Sequence, residues 1–164
     1  MLALRYLYVA ALVVWLGGMV VLGAIVAPTL FEVLQATDPE TGRALAGAAF
    51  GSTIARFHYV AYGAGTLLLV TLAAMRILGP KPAAFAVRAL IVLVMLAIAV
   101  YSGVVVLGRI DAIQAAVGIL PSRLPAADPR RIQFDALHTL ASQLMTANVI
   151  GAMILLYWEA KEHS

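Results

Sequence analysis

Cysteine is absent from the sequence, and charged residues are scarce. None of the 164 residues is cysteine, so disulfides, thiolate metal sites, iron–sulfur clusters and covalent c-type haem attachment are excluded. Charged residues make up 12% of the chain, whereas about a quarter is usual in soluble domains. The hydrophobic fraction is 63%, which is more apolar surface than a water-soluble fold of this length could bury. Histidine, methionine and carboxylates remain as candidate metal ligands.

Four apolar segments recur along the chain. Each is as long as the about 20 residues that an α-helix needs to cross the hydrocarbon layer. They predict an all-α, integral membrane fold, a four-helix transmembrane bundle that forms a single domain over residues 1–164. The predicted spans are about 6–31, 57–78, 88–109 and 132–158. The connections are too short to fold as a separate catalytic module, so any site must lie among the helices.

Helical patterns continue beyond these spans. Between Arg43 and Arg56 the sequence is typical of a helix in or above the membrane interface that leads into the second span. After Arg109, apolar residues keep their helical spacing. Asp128 followed by Pro129 predicts the start of the fourth helix, with the aspartate as N-cap and the proline in the first turn.

The basic residues predict the orientation. An even number of spans places both termini on the same side as the short link between the second and third spans. That link carries three basic residues and no acidic one, and short links count most in the positive-inside rule. We therefore predict a multi-pass protein of the inner or plasma membrane with both termini in the cytoplasm. The basic residues of that side are Arg5, Arg76, Lys81, Arg88 and Lys161, and those of the other side are Arg43, Arg56, Arg109, Arg123, Arg130 and Arg131. They form no continuous stripe, so no nucleic-acid partner is predicted.

Two histidines lie inside the predicted spans, where an ionisable side chain is costly and needs an explanation. His58 lies 18 residues before Arg76, and His138 lies 21 residues before Glu159, at the corresponding end of the fourth span. At a rise of about 1.5 Å per residue, the imidazoles on these two parallel helices differ in depth by roughly 5 Å. The two rings are therefore predicted to share one level in the outer leaflet.

Paired histidines at one depth favour a bound cofactor. Two neutral imidazoles on different helices are suited to axial ligation of a b-type haem. Arg56, Arg109 or Arg131 would then meet the haem propionates at the membrane boundary. The alternative is a copper ion bound by the same two histidines and Met145. The pattern thus indicates a membrane subunit that binds haem or a metal ion and that acts in electron transfer or as an accessory subunit of a membrane complex.

A structural interpretation stands beside this hypothesis. Histidines near span ends often only form interfacial hydrogen bonds, and small residues commonly serve close helix contacts. The chain would then bind no ligand and would pack in the lipid bilayer with other subunits or with further copies of itself. A metal transporter is a third alternative, although no Met-x-x-Met pair and no file of acidic residues crosses the bilayer. None of the common enzyme signatures is present, so an enzyme is not the prediction.

Three short motifs carry a resemblance to a known family. They are Val14 to Met19 (VWLGGM), Phe50 followed by Arg56 to His58 (RFH), and Arg131 to His138 (RIQFDALH). The chain resembles the family of animal transmembrane protein 205 and its bacterial relatives of unassigned function, and more distantly the copper-resistance D group. The resemblance spans most of the chain and implies four membrane helices with matching histidines at His58 and His138. It also implies an association with metal or metallodrug tolerance.

Overall fold

The computed structural model describes residues 2–39, 41–79, 82–118 and 121–161. Within these ranges no residue lies in a strand, and four helices are long and apolar enough to cross a membrane. They are α1 (Leu2–Thr37), α2 (Gly42–Leu78), α3 (Phe85–Val117) and α4 (Pro129–Lys161). A short 3-10 helix, Pro121–Arg123, lies between α3 and α4. The all-α prediction is confirmed, and the protein is a multi-pass membrane bundle.

Two of the helices contain a π-helical segment. In α1 it is Leu22–Val26, between α-helical parts Leu2–Val21 and Ala27–Thr37, and in α3 it is Tyr101–Val106, between Phe85–Val100 and Leu107–Val117. At the end of each segment an N–H donates to the carbonyl five residues back, from Ala27 to Leu22 and from Leu107 to Ser102. In α1 the segment ends two residues before Pro28, which has no N–H and whose ring would clash with the carbonyl of Ala24 in a regular α-helical turn.

The helices form a ring in which each packs on two others. α1 packs against α2 and α4, and α3 packs against the same two helices. Successive helices run in opposite directions, so Leu2, Leu78, Phe85 and Lys161 lie on one side, which we call the terminal side. Thr37, Gly42, Val117 and Pro129 lie on the opposite side, which we call the loop side. α1 and α3 are therefore diagonal to each other, as are α2 and α4.

Apolar side chains fill the interior of the bundle. The indole of Trp15 on α1 is only 1% exposed and lies against Gly65 on α2. A Cβ at Gly65 would come within 2.9 Å of Trp15 Cζ3, so the glycine provides the room for the indole. The buried core includes Tyr8, Leu12, Trp15, Leu68, Leu72, Val92, Met95 and Leu155.

All four helices are longer than the membrane requires. They have 33 to 37 residues, or about 50–55 Å, whereas the hydrocarbon layer is about 30 Å thick. Arg56 and Arg109 mark the loop-side ends of the uncharged stretches of α2 and α3, while Arg76 and Arg88 lie within a turn of the terminal-side ends. Most of the surplus length therefore lies on the loop side. We refer to residues 28–37, 42–56, 109–117 and 129–138 as the extension.

The extension has an apolar cluster of its own. Val106, Ile113 and Leu137 are buried between α3 and α4, with Phe134 and Ile110 packed around them. The segment 43–56, predicted as a helix that leads into the second span, is a continuous part of α2. Beyond the hydrocarbon layer α3 thus packs on α4, while the loop-side part of α1, Ala27–Thr37, packs on α2.

Specific residues end α3 and begin α4. Gly118 adopts a positive φ of 67° after the last turn of α3, a conformation that glycine takes without strain. The backbone N–H of Arg130 donates to Asp128 Oδ1 at 2.8 Å, which confirms the predicted N-cap of α4. The Arg130 guanidinium also binds this carboxylate and is the main cause that lowers the pKa of Asp128 below its ordinary value.

Candidate functional site

His58 is half-buried on α2 and is held in one orientation. Its Nδ1 lies 2.9 Å from the carbonyl oxygen of Ile54. A carbonyl can only accept, so Nδ1 carries the proton in the neutral ring and Nε2 keeps the lone pair. The ring lies against Gly103 in the π-helical segment of α3, where a Cβ would come within 2.5 Å of His58 Cδ2. One side of the imidazole is therefore closed by the backbone of α3.

Tyr62 lies one turn further along α2 and joins the same contact with α3. Its ring centroid is 6.0 Å from that of His58, at an angle of 59°. Its hydroxyl donates to the carbonyl of Ala99 at 3.5 Å, just before the π-helical segment. The sequence analysis did not select Tyr62. The four-residue spacing from His58, which places both rings on one helix face, is the signal that points to it.

His138 lies on the outside of α4. It is exposed, and its ring stacks on that of Phe134 with centroids 6.4 Å apart and planes at 7°. Arg88 on α3 contacts Glu159 on α4, so these two residues lie at about the same depth in the membrane. Depths along both helices can therefore be counted from them. Gly103, which touches His58, lies 15 residues after Arg88, whereas His138 lies 21 residues before Glu159. These separations correspond to about 22 and 31 Å. The structure does not bring the two histidine rings together: they differ in depth by about 9 Å, and His138 points away from the interior.

Met145, the third candidate ligand, shares the level of His58. It lies 14 residues before Glu159, or about 21 Å along α4. Its half-buried side chain packs on Gly23, in the π-helical segment of α1, where a Cβ would come within 2.7 Å of Met145 Cε. Since α2 and α4 are diagonal, His58 and Met145 contact different neighbouring helices. Among the described residues, no group of three or more His, Asp or Glu side chains is placed to hold a metal ion.

The three arginines predicted to meet propionates have different environments. Arg56 and Arg109 are exposed near the loop-side boundary of the membrane. Arg131 is half-buried, and its guanidinium donates to the carbonyl of Leu124 at 2.8 Å and lies 3.9 Å from Asp135. Arg131 therefore holds the connection between α3 and α4. Arg56 and Arg109 keep the exposure that binding to an anionic group at the boundary requires.

A buried ion pair on the terminal side was missed by the sequence analysis. The Arg88 guanidinium on α3 donates to the carboxylate of Glu159 on α4, and the two side chains are 1% and 8% exposed. Arg88 Cζ also lies 4.8 Å from the ring centroid of Tyr8 on α1, a cation–π contact. The sequence analysis counted Arg88 only as an orientation signal. Opposite charges near the terminal-side ends of two helices were the signal that could have revealed the pair. Lys81, a further orientation signal, lies outside the described residues.

The sequence profile of one family, described as "Domain of unknown function (DUF4149)", matches residues 10–118. The chain belongs to this family. The match covers most of α1, all of α2 and α3, and includes His58 but not His138 or Met145. No curated protein and no solved structure matches the chain. Membership of a family of unassigned function agrees with the resemblance noted in the sequence, while its finer relation to transmembrane protein 205 stays a prediction.

Asn148 is a buried polar residue of this DUF4149 member, and its side-chain oxygen has no hydrogen-bond partner among the described residues. It lies on α4, is 5% exposed, and its Oδ1 accepts no hydrogen bond from them. An unpaired buried carbonyl oxygen costs about 1–3 kcal/mol. The amide therefore marks a position in the core where a bound water or another donor would be stabilised.

One groove of about 550 Å³ lies on the outer surface of α3. Its lining is apolar, and none of the predicted site residues contributes to it. In a bilayer such a surface is in contact with lipid chains. The lining residues are Leu93, Leu96, Ala97, Val100, Tyr101, Val104 and Val105.

Proposed function

We propose that the protein is an accessory, structural subunit of a membrane assembly, and that its extension contacts the partner. The supporting observation is the continuation of all four helices by about 13–22 Å beyond the hydrocarbon layer on the loop side. Crossing the membrane does not require this length. In the extension α3 packs on α4 through the apolar cluster around Ile113 and Leu137, and α1 packs on α2, so each pair presents a packed surface outside the membrane.

The surface of the extension is suited to a polar contact with another protein. Exposed side chains of both signs lie on it, which favours complementary pairing with a partner of mixed charge. With both termini in the cytoplasm, as the sequence predicts, this surface faces the outer side of the membrane. The exposed charged residues include Glu32, Arg43, Arg109, Asp111 and Arg130.

Photo-crosslinking in native membranes tests this proposal. A photoreactive amino acid in place of Ala112, which is exposed on the extension, is expected to give a discrete product with a different polypeptide. The same group in place of Val94, which is exposed on α3 within the hydrocarbon layer, is the matched control and should give no such product. The change Arg109→Glu, close to Ala112, is expected to reduce the product several-fold. Equal labelling from both positions, or none from Ala112, would contradict the proposal.

A ligand site at His58 is the second candidate function, in which the subunit carries a b-type haem or a metal ion such as copper. The hydrogen bond from His58 Nδ1 to the Ile54 carbonyl supports it, because ligating histidines are commonly oriented in this way with Nε2 towards the metal. The finer resemblance, with its implied link to metal tolerance, favours the same candidate. Because His138 lies about 9 Å away in depth, a second ligand from this bundle would have to be another residue, such as Met145 at the level of His58.

Optical and metal analysis of the purified protein distinguishes the two candidates. If His58 is a ligand, protein from haem-replete cells should show a Soret band or stoichiometric metal, and His58→Ala should abolish it. His138→Ala is the matched control and should retain the signal, since that ring is exposed and stacked on Phe134. A parent protein without haem or metal would rule out the ligand site and leave the structural proposal. Loss of signal in His138→Ala alone would contradict the geometry given above.

A further inference from the structure

The groove on the outer surface of α3, which we call the α3 groove, lies at the depth of the hydrocarbon layer. Its lining is apolar except for the hydroxyl of Tyr101. From Leu93 to Val105 it follows the helix for about 18 Å, which is slightly more than half of the hydrocarbon layer of about 30 Å. The α3 groove is therefore long enough for one acyl chain of a single leaflet.

The α3 groove is open towards the loop-side boundary of the membrane. Gly108 follows Val104, a groove residue, by four positions and so continues the same side of the helix. Gly108 is exposed, and a Cβ placed on it would meet no atom within 4 Å. An acyl chain can therefore leave the groove over Gly108 without meeting a side chain.

Arg109 lies beside this opening and has no acidic partner among the described residues. It is exposed and follows Val105 by four positions, on the side of the helix that carries the groove. It lies 21 residues after Arg88, or about 31 Å along α3, which is the loop-side boundary. None of the described carboxylates forms an ion pair with it. Asp111, the nearest acidic residue in the sequence, is turned away from it by about 200° around the helix axis.

The side chain of Arg109 is directed towards the groove. Cα–Cβ bonds in a helix are tilted towards its N-terminus, and α3 begins at Phe85 on the terminal side. The aliphatic part of Arg109 therefore covers the turn at Val105, while the guanidinium stays at the boundary, where the lipid phosphates lie. A cation at this level attracts a negatively charged headgroup whose chain lies in the groove.

We propose that the α3 groove binds a phospholipid of the loop-side leaflet that has a net negative headgroup. One acyl chain lies along Leu93 to Val105, and the phosphate contacts Arg109. A concave apolar surface surrounds a chain on more than one side and so gains more dispersion contacts than a flat surface does. A second copy of the protein fits this surface less well, because a two-fold axis along the membrane normal would bring Arg109 against Arg109 of the other copy. This inference does not depend on the proposed function, because lipid binding in the groove needs no partner protein.

Photo-labelling in vesicles tests this lipid site. The purified protein is placed in phosphatidylcholine vesicles that contain phosphatidylglycerol with a photoreactive acyl chain, and mass spectrometry locates the labelled residues. Labelling is expected to be concentrated between Leu93 and Val105. At limiting phosphatidylglycerol, Arg109→Gln should lower this labelling about 5-fold, the effect of one arginine near an anionic lipid surface. Arg76→Gln, which removes an exposed arginine near the terminal-side boundary, is the matched control and should leave it unchanged.

The shape of the groove is tested by a second pair of variants. Ala97→Phe fills the groove and should lower the labelling several-fold, whereas Val94→Phe, exposed on α3 outside the lining, should not. Because Ala97 and Val94 are both exposed, neither change should alter thermal unfolding.

Three results would overturn the proposal. The first is equal labelling of the parent, Arg109→Gln and Ala97→Phe. The second is equal labelling by phosphatidylcholine that carries the same photoreactive chain, since the site would then not recognise the headgroup charge. The third is the absence of label between Leu93 and Val105. If Ala97→Cys then forms a disulfide-linked dimer on oxidation, the groove is covered by a second copy and not by a lipid.

Discussion

Replacing Glu159 by alanine is expected to destabilise the bundle by about 3–5 kcal/mol, because the Arg88 guanidinium would remain buried without its carboxylate. The double replacement of Arg88 by methionine and Glu159 by leucine should recover most of this loss, since two apolar side chains need no partner. Glu159→Gln should fall between these variants because it keeps a hydrogen-bond acceptor. Unfolding curves in detergent micelles at constant detergent concentration give the free energies.

The control for this experiment is Arg76→Ala, on the same side of the membrane. Arg76 is exposed near the end of α2, and loss of an exposed charge is expected to change the free energy of unfolding by about 0.5 kcal/mol at most. Equal destabilisation by Arg76→Ala and Glu159→Ala would show that the buried pair has no special role. A double replacement as unstable as Glu159→Ala would show that packing, and not the unpaired charge, causes the loss.

The buried pair fixes one end of the bundle. Arg88 contacts Glu159 and lies over the ring of Tyr8, so a single guanidinium joins α1, α3 and α4 at the terminal side. At the loop side, the cluster around Ile113 and Leu137 joins α3 to α4. α3 and α4 are therefore held together at both ends, which fixes their part of the extension relative to the membrane. That rigidity is what an accessory subunit would need in order to present the extension to a partner.

The four helices were predictable because the bilayer leaves few alternatives. A segment of about 20 apolar residues must satisfy its backbone hydrogen bonds internally, so it forms a helix whatever its neighbours are. The N-cap at Asp128 was likewise a local property, since its carboxylate binds an N–H two residues away. On the loop side, helical spacing at 43–56 and after Arg109 correctly indicated that α2 and α3 continue past the membrane, whereas α1 continues to Thr37, beyond its predicted span.

The environment of the histidines was not predictable from residue counts alone. The prediction assumed that Arg76 on α2 and Glu159 on α4 lie at the same depth in the membrane. These two helices are diagonal to each other, so no direct contact between them fixes their relative depth. The interior side of α4 is set by Leu137, Asn148 and Leu155, which are all buried. His138 follows Leu137 and is turned by about 100° from it, away from the interior. Helical periodicity fixes the angle between neighbouring side chains around the helix axis. Only the packed structure shows which side of the helix faces the interior.

Trp15→Ala is expected to destabilise the bundle by about 3–5 kcal/mol, because it removes the largest fully buried side chain and leaves a cavity between α1 and α2. Trp158, half-buried on α4, offers the matched control, and Trp158→Ala should cost clearly less. The same unfolding curves in detergent micelles measure both.

Gly65 allows a sharper form of this test. Gly65→Leu alone should destabilise by about 1–3 kcal/mol through overpacking, since even a Cβ there would come within 2.9 Å of both Trp15 and Leu96. In the Trp15→Ala background the same leucine would enter the vacated space and should restore part of the lost stability. The two changes should therefore be strongly non-additive. Simple addition of their effects would show that the indole does not fill the space above Gly65 and that α1 and α2 meet differently.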